Sequence, residues 1–197
     1  MRRYFSLALA LLLLVATSAL AQNVLPVIPA PKEVRFDRGA FFVGTSGPEI
    51  RVSARDTAGL GLPVGQLRAA FDAARPAQSG RVAGRRVWLG LPDQDAAFAA
   101  AWRRVGTWPE ARLGEEGYAL HVSDSEILVA ANTTRGLFYG AQTLVQMLRA
   151  YDRDARLPAV HVVDWPDLKI RGLMDDISRG PIPTPEMLRA QIRRAAE

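Results

Sequence analysis

Apolar positions change period repeatedly along this chain, and each change marks an element. Alternation over Glu33 to Phe36 and Ala40 to Val43, separated by Asp37-Arg38-Gly39, predicts a hairpin, with Glu49 to Val52 as a third short strand. From Leu62 to Ala74 the period lengthens: Leu67, Ala70, Phe71 and Ala74 recur at three- and four-residue spacing, the stripe of an amphipathic helix that Pro76 stops. Arg86 to Leu91 predicts a strand, and Asp95 to Arg104 an Ala-rich helix with Phe98 and Trp102 four apart. Gly117 to Val122 and Glu126 to Ala131 flank Ser123-Asp124-Ser125, a hairpin with turn-forming residues. A helix follows to about Tyr151, striped by Leu137, Ala141, Leu144 and Leu148, with Asn132 or Thr133 placed to cap it. Asn132-Thr133-Thr134 also fits a glycosylation sequon, but capping explains these residues without a glycosylating host.

Val160 to Val163 closes this series as a strand before Asp164-Trp165-Pro166. The pattern then restarts. Lys169 to Met174 predicts a strand, a polar turn follows through Pro181, and a helix starts near Thr184 with Pro185 in its first turn and a stripe through Leu188, Ile192 and Ala195. A lone strand and helix cannot bury both faces, so residues 166–197 are expected to open a second domain that the chain does not complete.

The first residues read differently from the rest. Arg2 and Arg3, an apolar run from Leu7 to Val15, and Ala19-Leu20-Ala21 form a secretory leader with cleavage after Ala21. Phe5 to Leu20 is shorter than the roughly 20 residues needed to span a bilayer. No cysteine follows to carry a lipid anchor. The leucine-rich core fits the general export route better than the twin-arginine route, and the expected location is periplasmic or extracellular. Residues 1–21 are thus the signal peptide and 22–165 the first folded domain.

Composition sharpens this picture in two ways. With 49% hydrophobic and 23% charged residues, the chain can fold around a core, and having no cysteine it must do so by packing alone. The formal charge of +5 rests on 25 basic and 20 acidic residues; removing Arg2 and Arg3 with the leader leaves 23 against 20. Only Lys32 and Lys169 are lysines, and the arginines do not cluster, so nucleic-acid binding loses its support.

Most catalytic signatures are missing: there is no His-Glu-x-x-His, no Gly-x-Ser-x-Gly and no phosphate-binding Gly-Lys-Ser/Thr loop. His121 and His161 are the two imidazoles, each beside valines on an alternating strand, without metal-ligand spacing. No metal or cofactor is expected. The last predicted strand differs, because Arg171 lies within it and Asp175, Asp176, Ser178 and Arg179 crowd its carboxyl end, where a (β/α)8 barrel binds ligands. An arginine in an apolar strand needs a partner; sugar hydroxyls or a neighbouring carboxylate both serve. Alternation puts Arg171 and Asp175 on one face and Asp176 on the other unless the strand ends first.

The run Asp164 to Arg179 resembles the opening of the catalytic barrel in family 20 glycoside hydrolases, the exo-acting β-N-acetylhexosaminidases. Glu116-Gly117-Tyr118-Ala119-Leu120, the run Thr134 to Leu144 and Ile28-Pro29-Ala30-Pro31-Lys32 resemble that family's amino-terminal domain. The resemblance implies an α/β fold: an accessory, zincin-like α/β domain without the metal motif, followed by the first βα unit of a truncated (β/α)8 barrel. It makes Arg171 a substrate arginine for the terminal sugar, and Asp176 and Arg179 parts of the site's architecture. Family members commonly carry a hydrophobic residue where Asp175 stands and a histidine where Gly180 stands.

The implied mechanism is substrate-assisted. The 2-acetamido oxygen attacks the anomeric carbon with retention, while an aspartate orients the acetamido group and a glutamate acts as acid and then base. No His-x-Gly-Gly-Asp-Glu run occurs, and Glu115-Glu116 falls in the first domain, so no catalytic residue is assigned and the 197 residues are expected to be inert alone. The implied partner is an N-acetylhexosamine-containing oligosaccharide or glycoconjugate, with no nucleic acid and no membrane after leader cleavage. A related glycosidase such as an α-glucuronidase-like enzyme, and a non-catalytic carbohydrate-binding module, are the alternatives.

Overall fold

A computed structural model describes residues 24–74, 84–106, 109–151, 155–174, 176, 178, 180 and 182–196. The leader and its cleavage site, Asp175 and Arg179 lie outside the described residues. One six-stranded mixed sheet organises the rest: β1 (Glu33–Phe42), β2 (Glu49–Ser53), β3 (Arg86–Gly90), β4 (Tyr118–Val122), β5 (Glu126–Ala131) and β6 (Arg156–Asp164) lie in the order β1-β6-β4-β5-β3-β2. β2, β3 and β5 run parallel, while β4 and β6 pair antiparallel with their neighbours. The helices are α1 (Gly61–Ala73), α2 (Ala96–Val105), α3 (Glu110–Leu113), α4 (Thr134–Ala150) and α5 (Pro185–Ala196).

Alternation along the strands feeds two cores. Leu67 and Phe71 of α1 and Leu137, Ala141, Leu144 and Leu148 of α4 cover one face, meeting Leu120, Ile127, Val129, Val160 and Val162. Phe98, Ala101 and Trp102 of α2, with Leu113, cover part of the other, meeting Trp88, Ala119, Leu128, Ala130 and Val163. Side chains one residue apart on β4 and β5 thus serve opposite layers. Both layers depend on the predicted helix stripes and their caps: Asp95 accepts from the amides of Ala97 and Phe98 at 2.8 and 3.0 Å, and Thr133, of the two candidates, accepts from Gly136 at 3.4 Å.

Two expectations fail. The first hairpin does not form: Glu33–Phe42 is one strand, pairing with β6 on both sides of an irregularity between Phe36 and Ala40. Asp37-Arg38-Gly39, with Gly39 at φ 108°, makes a bulge instead of a reversal. Two four-residue arms would bury little against each other, whereas pairing both halves with β6 gives a longer ladder and buries Phe41 completely. The predicted strand at Lys169–Met174 is also absent. A strand needs a partner edge, and this segment pairs with none of the six strands; Ile170, Leu173 and Met174 stand exposed. The helix after it does form, as α5, with no residue buried.

Candidate functional site

Polar side chains collect where β1 and β4 begin, β6 ends and α4 takes its first turns. Tyr118 and Thr143 are buried there, and their hydroxyls are 2.5 Å apart. The Tyr118 hydroxyl also donates to Asp164 at 3.3 Å, and the Lys32 amide donates to the other Asp164 oxygen at 3.1 Å. Burial pushes the Asp164 carboxyl up, against the pull of the Lys32 amide; burial and then the Asp164 charge push the Tyr118 phenol up, so it remains a neutral donor. Lys32 pairs with Asp167, and Arg112 with Glu33 while lying 5.6 Å over the Trp165 ring. The chain leaving β6 is therefore tied to the start of β1 and to the helices.

Arg171 reaches back to this edge. Its guanidinium donates to the Leu168 carbonyl at 2.6 Å, to Glu116 at 2.6 Å and to the Tyr139 hydroxyl at 3.4 Å, and it sits 5.6 Å over the Tyr139 ring. The hydrogen bond to Glu116 holds the guanidinium charge more firmly than usual. Among the described residues, the carboxylate that meets it is that of Glu116. Asp176 lies exposed and accepts from the Ser178 amide at 2.9 Å, and the Ser178 side chain first, then this amide, holds its carboxyl below the usual range. It is not brought to Arg171.

The sequence reading missed Glu116, Tyr139, Thr143 and Asp164 as a group. Gln142 and Thr143 lie outside the apolar stripe of α4, so only the fold shows that they are buried and that a buried polar side chain there needs a partner. Among the described residues no group of three or more His, Cys, Asp or Glu could hold a metal ion.

On the opposite face, His121 and His161 lie directly opposed across β4 and β6 with ring centroids 5.8 Å apart, and His161 lies 5.8 Å from the Trp102 ring. Burial lowers both imidazoles below their ordinary value; for His161 the neighbouring His121 and Arg35 add to this, and Asp37 and Glu33 oppose it. The folded chain thus favours neutral rings, while the unfolded chain takes up protons at about pH 6.5. Stability is full above that value and falls as acidification proceeds through it toward the lower folded values. Thermal unfolding between about pH 7.5 and 5.5 is expected to lose several degrees, and a His121→Gln/His161→Gln double variant to flatten that slope. An unchanged slope would place the pH sensitivity elsewhere.

Fold and site together define a mixed α/β domain whose chemistry-bearing residues lie at one end of its sheet. A family model described as glycosyl hydrolase family 20, domain 2, matches residues 24–165, and the chain belongs to that family. β-Hexosaminidase subunit beta of Entamoeba histolytica is 36% identical over 75 residues, which cover 36% of this chain and 13% of that protein. The β-N-acetylhexosaminidase of Streptomyces coelicolor A3(2) superposes with a TM-score of 0.58 at 25% identity, covering 89% of this chain and 33% of that one. Flavobacterium johnsoniae chitobiase shares the fold with a TM-score of 0.61 at 19% identity, over 87% of this chain and 25% of that one. The chain therefore spans a third or less of these relatives.

Proposed function

We propose that this chain is the amino-terminal part of an exported exo-β-N-acetylhexosaminidase, which removes terminal N-acetylhexosamine from glycans by substrate-assisted retaining hydrolysis. In this reading residues 1–21 are the leader, 22–165 the accessory domain and 166–197 the start of a (β/α)8 barrel. One observation carries it: the family match runs over residues 24–165 and gives way to the segment whose residues resemble the barrel's opening. The exposed Ile170, Leu173, Met174 and Ile192 support it, since a completed barrel would bury apolar side chains of this kind.

Chemistry then divides between what these residues supply and what they lack. Arg171 offers a planar fork of N–H donors to the hydroxyls of the terminal sugar, and the family resemblance makes Asp176 and Arg179 parts of the site's architecture. The attacking group is the substrate's own acetamido oxygen, which needs an adjacent Asp-Glu pair to orient it and to move the proton. No matching run lies among the 197 residues, so this chain alone is inert.

The test is release of nitrophenol from a nitrophenyl N-acetyl-β-glucosaminide. The complete protein carrying these residues is expected to turn it over and the 197 residues alone are not. Arg171→Ala in the complete protein is expected to lower kcat/KM about 10- to 100-fold, the scale of ~1.5–3 kcal/mol for a hydrogen bond to a charged group. Turnover of a glucuronide and not of the N-acetylhexosaminide would replace this reading with the related glycosidase; unchanged kinetics would remove Arg171 from the sugar site.

A further inference from the structure

We infer that His121 and His161 form a binding site for one divalent cation of the zinc, nickel and copper class, with one nitrogen of each ring as a ligand. Both residues belong to the sheet, on β4 and β6, so the segment after β6 takes no part. Both rings are half-buried, and among the described residues neither has a hydrogen-bond partner. Nδ1 of each is fully enclosed. Enclosed polar atoms in a native fold are normally paired, and two valines would fill this place without leaving any unpaired. The rings are also held together. They stand directly opposed in the β4–β6 register, with centroids 5.8 Å apart and planes inclined at 54°. Imidazole nitrogen binds zinc at about 2.0–2.1 Å, so two rings on one tetrahedral ion have centroids about 5 Å apart, within a small side-chain rotation of this arrangement.

The surroundings favour a cation. Asp37, at the bulge of β1, and Glu126, on β5, act on His121, and Asp37 and Glu33 act on His161. Arg35, directly across from His161, opposes them, but it pairs with Asp37 at 3.5 Å. The carboxyl end of α2 arrives at the same place: a Cβ at its C-cap Gly106 would lie 3.6 Å from Cε1 of His161. A helix carboxyl end carries partial negative charge and stabilises a cation near it. Among the described residues no third protein ligand joins the pair, so water fills the remaining positions and the ion exchanges with solvent. Two imidazoles select zinc, nickel and copper over magnesium and calcium, which take oxygen ligands.

The experiment is isothermal titration calorimetry of the complete, tag-free protein, freed of metal by chelation, with Zn²⁺, Ni²⁺ and, as a control, Mg²⁺. One Zn²⁺ or Ni²⁺ is expected to bind per chain, and Mg²⁺ is not. His121→Gln and His161→Gln are each expected to weaken Zn²⁺ binding by at least about 10-fold, since losing a ligand costs no less than losing a group that orients one. Electron paramagnetic resonance of the parent protein with one equivalent of Cu²⁺ reads the ligands without any variant, and is expected to show coupling to two imidazole nitrogens. That measurement decides the matter if a variant fails to fold. No Zn²⁺ binding by the parent, binding that survives both substitutions, or a Cu²⁺ spectrum with fewer than two imidazole nitrogens overturns the site.

Discussion

Replacing Trp102 by alanine is expected to cost about 3–5 kcal/mol of unfolding free energy, the range for removing a large aromatic side chain from a core. Trp102 is 1% exposed and packs with Phe98 among Trp88, Leu113, Ala119, Leu128, Ala130 and Val163. The reason for the large effect lies in the layering. On this face α2 and the four-residue α3 supply the helical cover, whereas α1 and α4 share the other. Losing the ring leaves a cavity that one short helix cannot close, and it removes the aromatic neighbour of His161. A domain of this size has a total stability of about 5–15 kcal/mol, so this single change should move the urea midpoint far enough to measure by circular dichroism. Trp102→Phe keeps most of the contact and should lose less than half as much. A loss below about 1 kcal/mol for Trp102→Ala would mean that α2 does not hold this face.

Gly136→Ala and Gly140→Ala in α4 are expected to destabilise the fold by about 1–3 kcal/mol each, opposite to the sign that helix propensity predicts. Alanine in a free helix gains about 1 kcal/mol over glycine. Here an added Cβ at Gly136 would sit 2.3 Å from the Gly117 carbonyl oxygen and 2.7 Å from Ala131 Cβ, and at Gly140 2.5 Å from a Val129 methyl and 3.1 Å from the Tyr118 ring. Gly136 and Gly140 are one turn apart on the face that meets β4 and β5, so they set how closely the helix approaches the sheet. Backbone at Gly117 cannot retreat cheaply, because its amide is bonded to Leu113. Steric exclusion therefore outweighs the propensity gain. Gly65 in α1 provides the control: an added Cβ meets nothing within 4 Å, so Gly65→Ala should stabilise by about 0.5–1 kcal/mol. Guanidinium unfolding of the three variants checks the signs, and a stabilising Gly136→Ala would show that the helix can lift without loss.

Local signals account for what the sequence made legible. The stripe of α4, the Phe98–Trp102 pair of α2, the β4–β5 hairpin and the caps at Asp95 and Thr133 all depend on residues within a few positions of one another, and all of them form. Where an outcome depended on a distant partner, local reading went astray. Asp37-Arg38-Gly39 has turn chemistry, but β6, more than a hundred residues later, competes for both flanking arms and turns the reversal into a bulge. Lys169–Met174 has strand-forming residues, but β structure is completed by a neighbour, and none of the six strands provides one. The site shows the same division. Arg171 stood out as a charge needing a partner, while its partner Glu116, 55 positions away, had no feature to distinguish it from the adjacent Glu115.

By itself, then, the sequence determined the elements that are set by periodicity and capping, and the presence of one arginine that demands an acceptor. Tertiary structure decided the strand order, the single long β1 and the identity of that acceptor. The physical reason is the range of the forces involved. Helix stripes and caps are settled by neighbours within a turn or two, whereas sheet order and the pairing of a charged side chain are settled by whichever distant group the folded backbone brings within about 3 Å.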